Sequence, residues 1–313
     1  MTNGLYSPAD LELFFEGKSF DAVFQMLRRI WNPEGKSIRE YYREGEIETN
    51  KLEETLLELY PDLYGEIIKA CKKEKVAEEI RRRDKYCLVL MDSLSIREAM
   101  LLENDLKELY EINAGYSFSA LPSDTDPFKH KVFGRINIAQ WESPDFKFIH
   151  DLTSVSVLPE SDTLTIWTQL PDDKLHHTRA GHAEPWAIED VYADTRRLLV
   201  EILQMCRHDE VVVTSDHGYV DLTAGCTFPL SDKWKKMLAN QFKERWRKKE
   251  NNWELEQLYE QKIIRYAEEY YVIQGRYSHI TGRGKVNTRK HGGLSIMECM
   301  TPVLNVRKKE YDA

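Results

Sequence analysis

The run Tyr86-Cys87-Leu88-Val89-Leu90-Met91, six consecutive apolar residues ending at Asp92, constrains the fold of this chain more than any other segment. A strand with one wet face alternates apolar and polar side chains. A continuous run with β-branched and aromatic content has to be covered on both faces, as in a parallel sheet sandwiched by helices. Comparable strand-like stretches recur at 116–120, 146–149, 164–167 and 211–214, and helical periodicity fills roughly 96–109 and 185–205. Strands alternating with helices predict an α/β fold, a three-layer α/β/α domain with a mostly parallel sheet.

Upstream the pattern is helical throughout. Ser7-Pro8-Ala9-Asp10 has the form of a helix cap with Pro at the first helical position, and Leu52, Leu56, Leu57 and Leu59, then Leu63, Ile67 and Ile68, mark apolar faces. Residues 1–84 therefore read as a helical N-terminal region suited to packing or to docking a protein partner, and 85–313 as the main domain. Within the latter, the charged stretch 233–269, with Trp234, Trp246 and Trp253, reads as a helical insertion at about 230–270.

Composition limits the function classes. With 42% hydrophobic and 31% charged residues, the chain is that of an ordered protein. No apolar run approaches the roughly 20 residues that span a bilayer, and Met1-Thr2-Asn3-Gly4 lacks the charged start and apolar stretch of a secretory leader. These features predict a cytoplasmic protein with no membrane partner. The five cysteines are scattered without a CxxC pair, as reduced, mostly buried thiols would be. A formal net charge of −9 disfavours binding long nucleic acid over the whole surface, and so limits substrate size more than substrate class.

In doubly covered sheets, ligands sit beyond the carboxyl ends of the strands, and the polar residues of interest fall there. Asp92 ends the first strand, and Thr214-Ser215-Asp216-His217-Gly218 ends another. Adjacent acid and imidazole suit a borderline cation, and Gly permits close backbone approach. Each acid could instead cap a following helix. After the 164–167 strand comes Leu170-Pro171-Asp172-Asp173-Lys174-Leu175-His176-His177, where Asp and His four apart can share one ion on a helical turn. Two registers fit, Asp172 with His176 and Asp173 with His177. Finally, Lys290-His291-Gly292-Gly293-Leu294-Ser295 places a His on a Gly-rich loop, preceded by Arg276, Arg283, Lys285, Arg289 and Lys290 with no intervening acid. That strip would attract an anion.

The ordered set YCLVLMD, ALPSDT, PDDKLHH, VVVTSDHG and HGGLSIMECMTPV resembles the PglZ domain, a branch of the alkaline phosphatase superfamily found in phage-defence systems and fused to some response regulators; the resemblance covers about 86–306. It implies an alkaline-phosphatase-like domain with two zinc ions, for which manganese would tolerate a similar ligand set. Asp92, Asp216 and His217 would hold one ion; His291 and an Asp/His pair from 172–177 would hold the other. Leu175, two places after Asp173, suits the Asp173/His177 register in related sequences, whereas Pro171-Asp172 supports Asp172/His176. Thr125, in Leu121-Pro122-Ser123-Asp124-Thr125, would be the metal-coordinated nucleophile, and Arg289 and Lys290 would bind substrate.

The function this implies is zinc-dependent hydrolysis of a phosphodiester, with nucleotides or linear or cyclic oligonucleotides as substrates. A phosphomonoesterase and a non-catalytic, metal-stabilised interaction module are the alternatives. Where many relatives have Asp followed by Gly or Ala this chain has Asp92-Ser93, a small residue expected to be harmless, and Arg97 is expected to face either the site or solvent.

Overall fold

The computed structural model describes residues 7–155, 157–176, 186–280 and 287–309. Five helices come first: α1 (Pro8–Phe15), α2 (Ser19–Ile30), α3 (Ile38–Leu59), α4 (Leu63–Lys72) and α5 (Val76–Ile80). The main sheet and its covering helices follow as β1 (Tyr86–Met91), α6 (Ile96–Leu106), β2 (Tyr110–Phe118), α7 (Thr125–Phe133), β3 (Phe146–Ile149), β4 (Thr163–Thr168), α8 (Asp172–His176), α9 (Ile188–Met205) and β5 (Glu210–Thr214). After β6 (Val220–Asp221) come α10 (Asp232–Gln241), β7 (Trp246–Lys248), α11 (Trp253–Glu260), β8 (Ile264–Ala267) and β9 (Tyr270–Ile273). The chain closes with β10 (Arg289–Lys290), α12 (Ile296–Cys299) and β11 (Met300–Lys308).

Six strands form the central sheet in the order β2-β11-β5-β1-β4-β3. β5, β1, β4 and β3 are parallel neighbours, and β11 runs antiparallel to both β5 and β2. The reversal of β11 matters for the site, because its amino end lies at the same sheet edge as the carboxyl ends of the other five strands. The apolar run of β1 is explained by burial on both faces. Cys87, Val89 and Met91 pack into one core cluster with α2, α3, α4, α6 and α9, while Tyr86, Leu88 and Leu90 pack into a second with α5 and α7. β5 divides in the same way, Val211 and Val213 to the first cluster and Val212 to the second.

Residues 1–84 share the main core instead of standing apart. Phe24, Leu27, Trp31, Leu52 and Tyr64 belong to the cluster that holds β1 and β5. Buried ion pairs add directional ties: Glu46 on α3 accepts from Arg97 Nε at 2.5 Å and from Arg276 Nη2 at 2.7 Å, and Glu53 accepts from the backbone amide of Ile296 at 2.9 Å. Arg97 thus faces neither the site nor solvent. Its Nη1 donates to the carbonyl of Tyr219 at 2.8 Å, bracing the loop that follows His217.

The insertion differs from its expected all-helical character. α10 and α11 pack against a three-stranded antiparallel sheet, β7-β9-β8, around a small core of Leu238, Phe242, Leu255, Leu258, Ile264 and Ile273. Tyr270–Ile273 is an uncharged β-branched and aromatic run that reads as a strand, whereas Trp246-Arg247-Lys248 is short and charged, so periodicity does not separate it from helix.

Candidate metal centre

Ser95, not Asp92, caps α6: its hydroxyl accepts from the Arg97 amide, and Glu98 reaches back to the Ser95 backbone in a capping box. Ser295 and Glu298 do the same for α12. Both turns at the sheet edge are therefore closed without using the acids beside them. Asp216 is likewise no helix cap, since the chain continues into β6. Gly218 is needed where it stands, because a Cβ there would lie 2.2 Å from the carbonyl oxygen of Met297; its N–H donates to the Glu298 carbonyl at 3.0 Å.

The edge gathers side chains from five separate segments. The Thr125 hydroxyl, at the start of α7, donates to Asp92 Oδ1 at 3.0 Å and lies 3.0 Å from His217 Nε2. Around that nitrogen stand Asp216 Oδ2 at 3.4 Å and Asp92 Oδ1 at 3.7 Å. His217 Nδ1 meets the Gly218 carbonyl at 3.0 Å. A carbonyl only accepts, so Nδ1 carries hydrogen and Nε2 turns toward the carboxylates. Burial disfavours charge on His217, but Asp216 and Asp172 outweigh it and raise the pKa of the imidazole, so this place among two acid oxygens attracts positive charge, whether a proton on Nε2 or a bound cation.

A second cluster adjoins the first. Asp172 Oδ1 lies 3.3 Å from His176 Nε2 and 3.9 Å from His291 Nε2. The His291 ring stacks on His217 with centroids 4.3 Å apart and meets His176 edge-on at 4.6 Å. Ligand atoms of Asp172, His176 and His291 fall within 4.8 Å of one another, as do those of Asp92, Asp172 and His217, so Asp172 belongs to both groups. Asp216 Oδ2, His176 Nε2 and His291 Nδ1 are buried without a hydrogen-bond partner. Orphaned buried donors and acceptors are costly, and imidazole with carboxylate is the donor set of zinc and its neighbours. On both counts the residues fit bound divalent cations.

Helix geometry separates the two neighbouring acids of α8. α8 is a single turn, so Asp172 and His176, four apart, share a face, whereas Asp173 is rotated away and exposed. The Asp172/His176 register is the one whose side chains gather with His291; of the other register, Asp173 is exposed and His177 lies outside the described residues. Arg289, expected to bind substrate, is engaged elsewhere: Nη1 donates to the Trp186 carbonyl at 3.2 Å, and Nε lies 3.9 Å from Asp221 Oδ2. Lys290 is half-buried in β10, paired with Val220 of β6.

Charge is concentrated here. Burial, then Asp216 and Asp172, push the Asp92 carboxyl well above the usual carboxylate range. Burial disfavours charge on Asp172 too, but His176, His291 and His217 hold its carboxyl well below that range. Burial and the neighbouring His217 lower His291 to about 4.

Four further residues border the site. Ser93, at φ 62° in the left-handed region, places its hydroxyl 2.6 Å from Asp172 Oδ1, as donor, and 3.2 Å from His217 Nδ1, joining the two clusters. Trp246 Nε1 donates to Asp124 Oδ2 at 2.8 Å, so the side chain before Thr125 is held by the insertion and does not cap α7. Gly292, at φ +97°, leaves room for that indole, since a Cβ would lie 2.4 Å from it. Only the dipeptide Asp92-Ser93 hints at Ser93 in the sequence; Trp246 and Asp124 stand in segments singled out there, the insertion and the Leu121–Thr125 motif, but nothing local pairs them.

No protein-family model matches the chain, and no curated protein matches it.

Proposed function

We propose that this chain is a metal-dependent phosphoric ester hydrolase with an alkaline-phosphatase-like core of the PglZ type, acting through Thr125 and a pair of divalent cations, zinc first and manganese as the nearest substitute. The observation that carries this reading is the Thr125 hydroxyl standing 3.0 Å from both Asp92 and His217, beside a second group of Asp172, His176 and His291. Asp92, Asp216 and His217 would hold one ion and Asp172, His176 and His291 the other. Cations bound there would lower the pKa of the threonine hydroxyl and neutralise charge growing on the phosphoryl oxygens.

The chain's own groups define the remaining chemistry. Thr125 Oγ1, oriented by Asp92 Oδ1, attacks phosphorus and gives up its proton, the bond to the ester oxygen breaks and that oxygen leaves as the protonated alcohol, and water then cleaves the phosphothreonine, restoring the Thr125 hydroxyl. Thr125 is the first residue of α7, so the positive end of the helix faces the incoming phosphate.

A diester substrate, a nucleotide or short oligonucleotide, is supported by the surface groove of about 490 Å³ in which Lys243, Arg247, Lys248 and Lys249 outnumber Glu244 and Glu250, and whose Trp246 holds Asp124, the residue before Thr125. Trp246 and Trp234 are committed to packing, which leaves Trp253, 63% exposed, as the free stacking surface of the three. Purified protein would be incubated with zinc or manganese and bis-p-nitrophenyl phosphate, p-nitrophenyl phosphate or short oligonucleotides. Metal-dependent turnover that disappears in Thr125→Ala supports the hydrolase, and faster cleavage of diester than monoester supports the substrate class. Fully metallated protein that turns over no ester would instead favour a metal-stabilised interaction module.

A further inference from the structure

The opposite edge of the sheet holds a second constellation. Cys87 lies at the start of β1, and Cys206 and His208 lie on the connection from α9 to β5. Both thiols are free, buried and 3.2 Å apart at Sγ, and His208 Nδ1 stands 3.4 Å from Cys206 Sγ. The three ligand atoms fall within 4.8 Å of one another. We propose that Cys87, Cys206 and His208 form a site for a borderline-soft divalent cation, zinc above all, separate from the candidate catalytic centre.

The tautomer of His208 supports this. Its Nε2 meets the backbone carbonyl of Asp162 at 3.1 Å, and because a carbonyl only accepts, Nε2 carries the hydrogen and the lone pair of Nδ1 points to the sulfur. An outer hydrogen bond of this kind orients metal-ligating histidines. Two sulfurs and one imidazole nitrogen select zinc over magnesium or calcium. On binding, each thiol loses its proton, and two thiolates balance the charge of one divalent ion.

Three protein ligands leave one tetrahedral position. Cys206 and His208 line a cavity of about 940 Å³, whose wall also carries Glu160, Asp162 and Asp209, so water or a small ligand can reach that position. Cys87 precedes Asp92 by five residues of extended strand, roughly 16 Å at about 3.3 Å per residue. The two clusters therefore do not share an ion. A cation here would fasten the start of β1 to the connection entering β5, the two strands whose far ends carry Asp92 and Asp216.

The test uses cobalt(II), added to reduced, chelator-treated full-length protein with all five thiols confirmed free. A thiolate-to-cobalt charge-transfer band in the near ultraviolet is expected, with an intensity at saturation that corresponds to one thiolate-bound cobalt per chain. It should vanish in Cys206→Ser, weaken and shift in His208→Asn, and persist in Asp172→Asn, because the histidine–carboxylate centre contains no sulfur. Should Cys206→Ser fail to fold by near-ultraviolet circular dichroism, the half-buried His208→Asn carries the comparison. Absence of the band, its survival in both variants, or a Cys87–Cys206 disulfide that forms in preference to metal binding would overturn the proposal. None of these outcomes bears on ester hydrolysis, so the two readings fail independently.

Discussion

The hydroxyl of Thr125 is 3.0 Å from Nε2 of His217, although 92 positions separate them in the chain. One comes from the first turn of α7 and the other from the loop after β5, and their meeting depends on β2 and β5 ending at the same edge of the sheet. Replacing the hydroxyl is therefore the sharpest perturbation of the proposed chemistry. Thr125→Ala is expected to lower kcat by roughly 10³-fold or more, with bound metal retained. Thr125→Ser, which keeps a hydroxyl, should retain measurable turnover. Equal activity in the alanine variant and the parent would remove Thr125 from the reaction.

The register at α8 gives a paired test. Asp172→Asn should lose bound metal and most activity, because Asp172 faces both His176 and His291. Asp173→Asn, on the exposed side of the same turn, should stay within a few-fold of the parent. Metal content by elemental analysis reads the difference, and the reverse pattern would restore the other register.

Glu46 holds two buried guanidiniums, those of Arg97 and Arg276. Glu46→Ala leaves Arg97 without its paired carboxylate and Arg276 with Glu53 alone, 3.5 Å from its Nε, and breaking a buried pair in this way costs about 3–5 kcal/mol. Denaturant unfolding should show a loss of that size. By the same reasoning residues 85–313 alone should fail to give a cooperative transition, since α2, α3 and α4 supply part of the core against β1. A stable truncated domain would contradict this.

Lys75 is buried, and burial depresses its pKa to about 8 from 10.5, while its Nζ donates to the Cys71 carbonyl at 2.6 Å. The folded protein then binds fewer protons than the unfolded chain between about pH 8 and 10.5, so this group makes stability rise with pH across that window. Below it, the cost of burying the charge is fully present. The stability of Lys75→Met relative to the parent should accordingly decline from pH 8 to 10.5. A difference that stays flat over that range would show that Lys75 titrates in the folded protein as it does in the unfolded chain.

Much of this architecture was legible from residue order, for stated reasons. β1 and β5 are buried on both faces and so are written as uninterrupted apolar runs, and the acids that end them mark the functional edge. β2 was legible only at its end, because an edge strand with a half-covered face carries Glu111 and Asn113 among its apolar residues. β11 was hidden by Pro302 near its start and by Arg307 and Lys308 at its close, features that argue against a central strand. The choice between Asp172 and Asp173 needed the helical phase of one short turn. Glu46, Ser93, Asp124 and Trp246 take their roles from contacts between distant segments, and no local pattern records such contacts.

The convergence of two cations on these side chains is tested most directly by an anomalous-scattering map of zinc-loaded crystals. The expected result is one ion among Asp92, Asp216 and His217, with Thr125 Oγ1 in its reach, and a second among Asp172, His176 and His291. Crystals fully loaded with zinc but showing no anomalous density at these side chains would contradict the central claim.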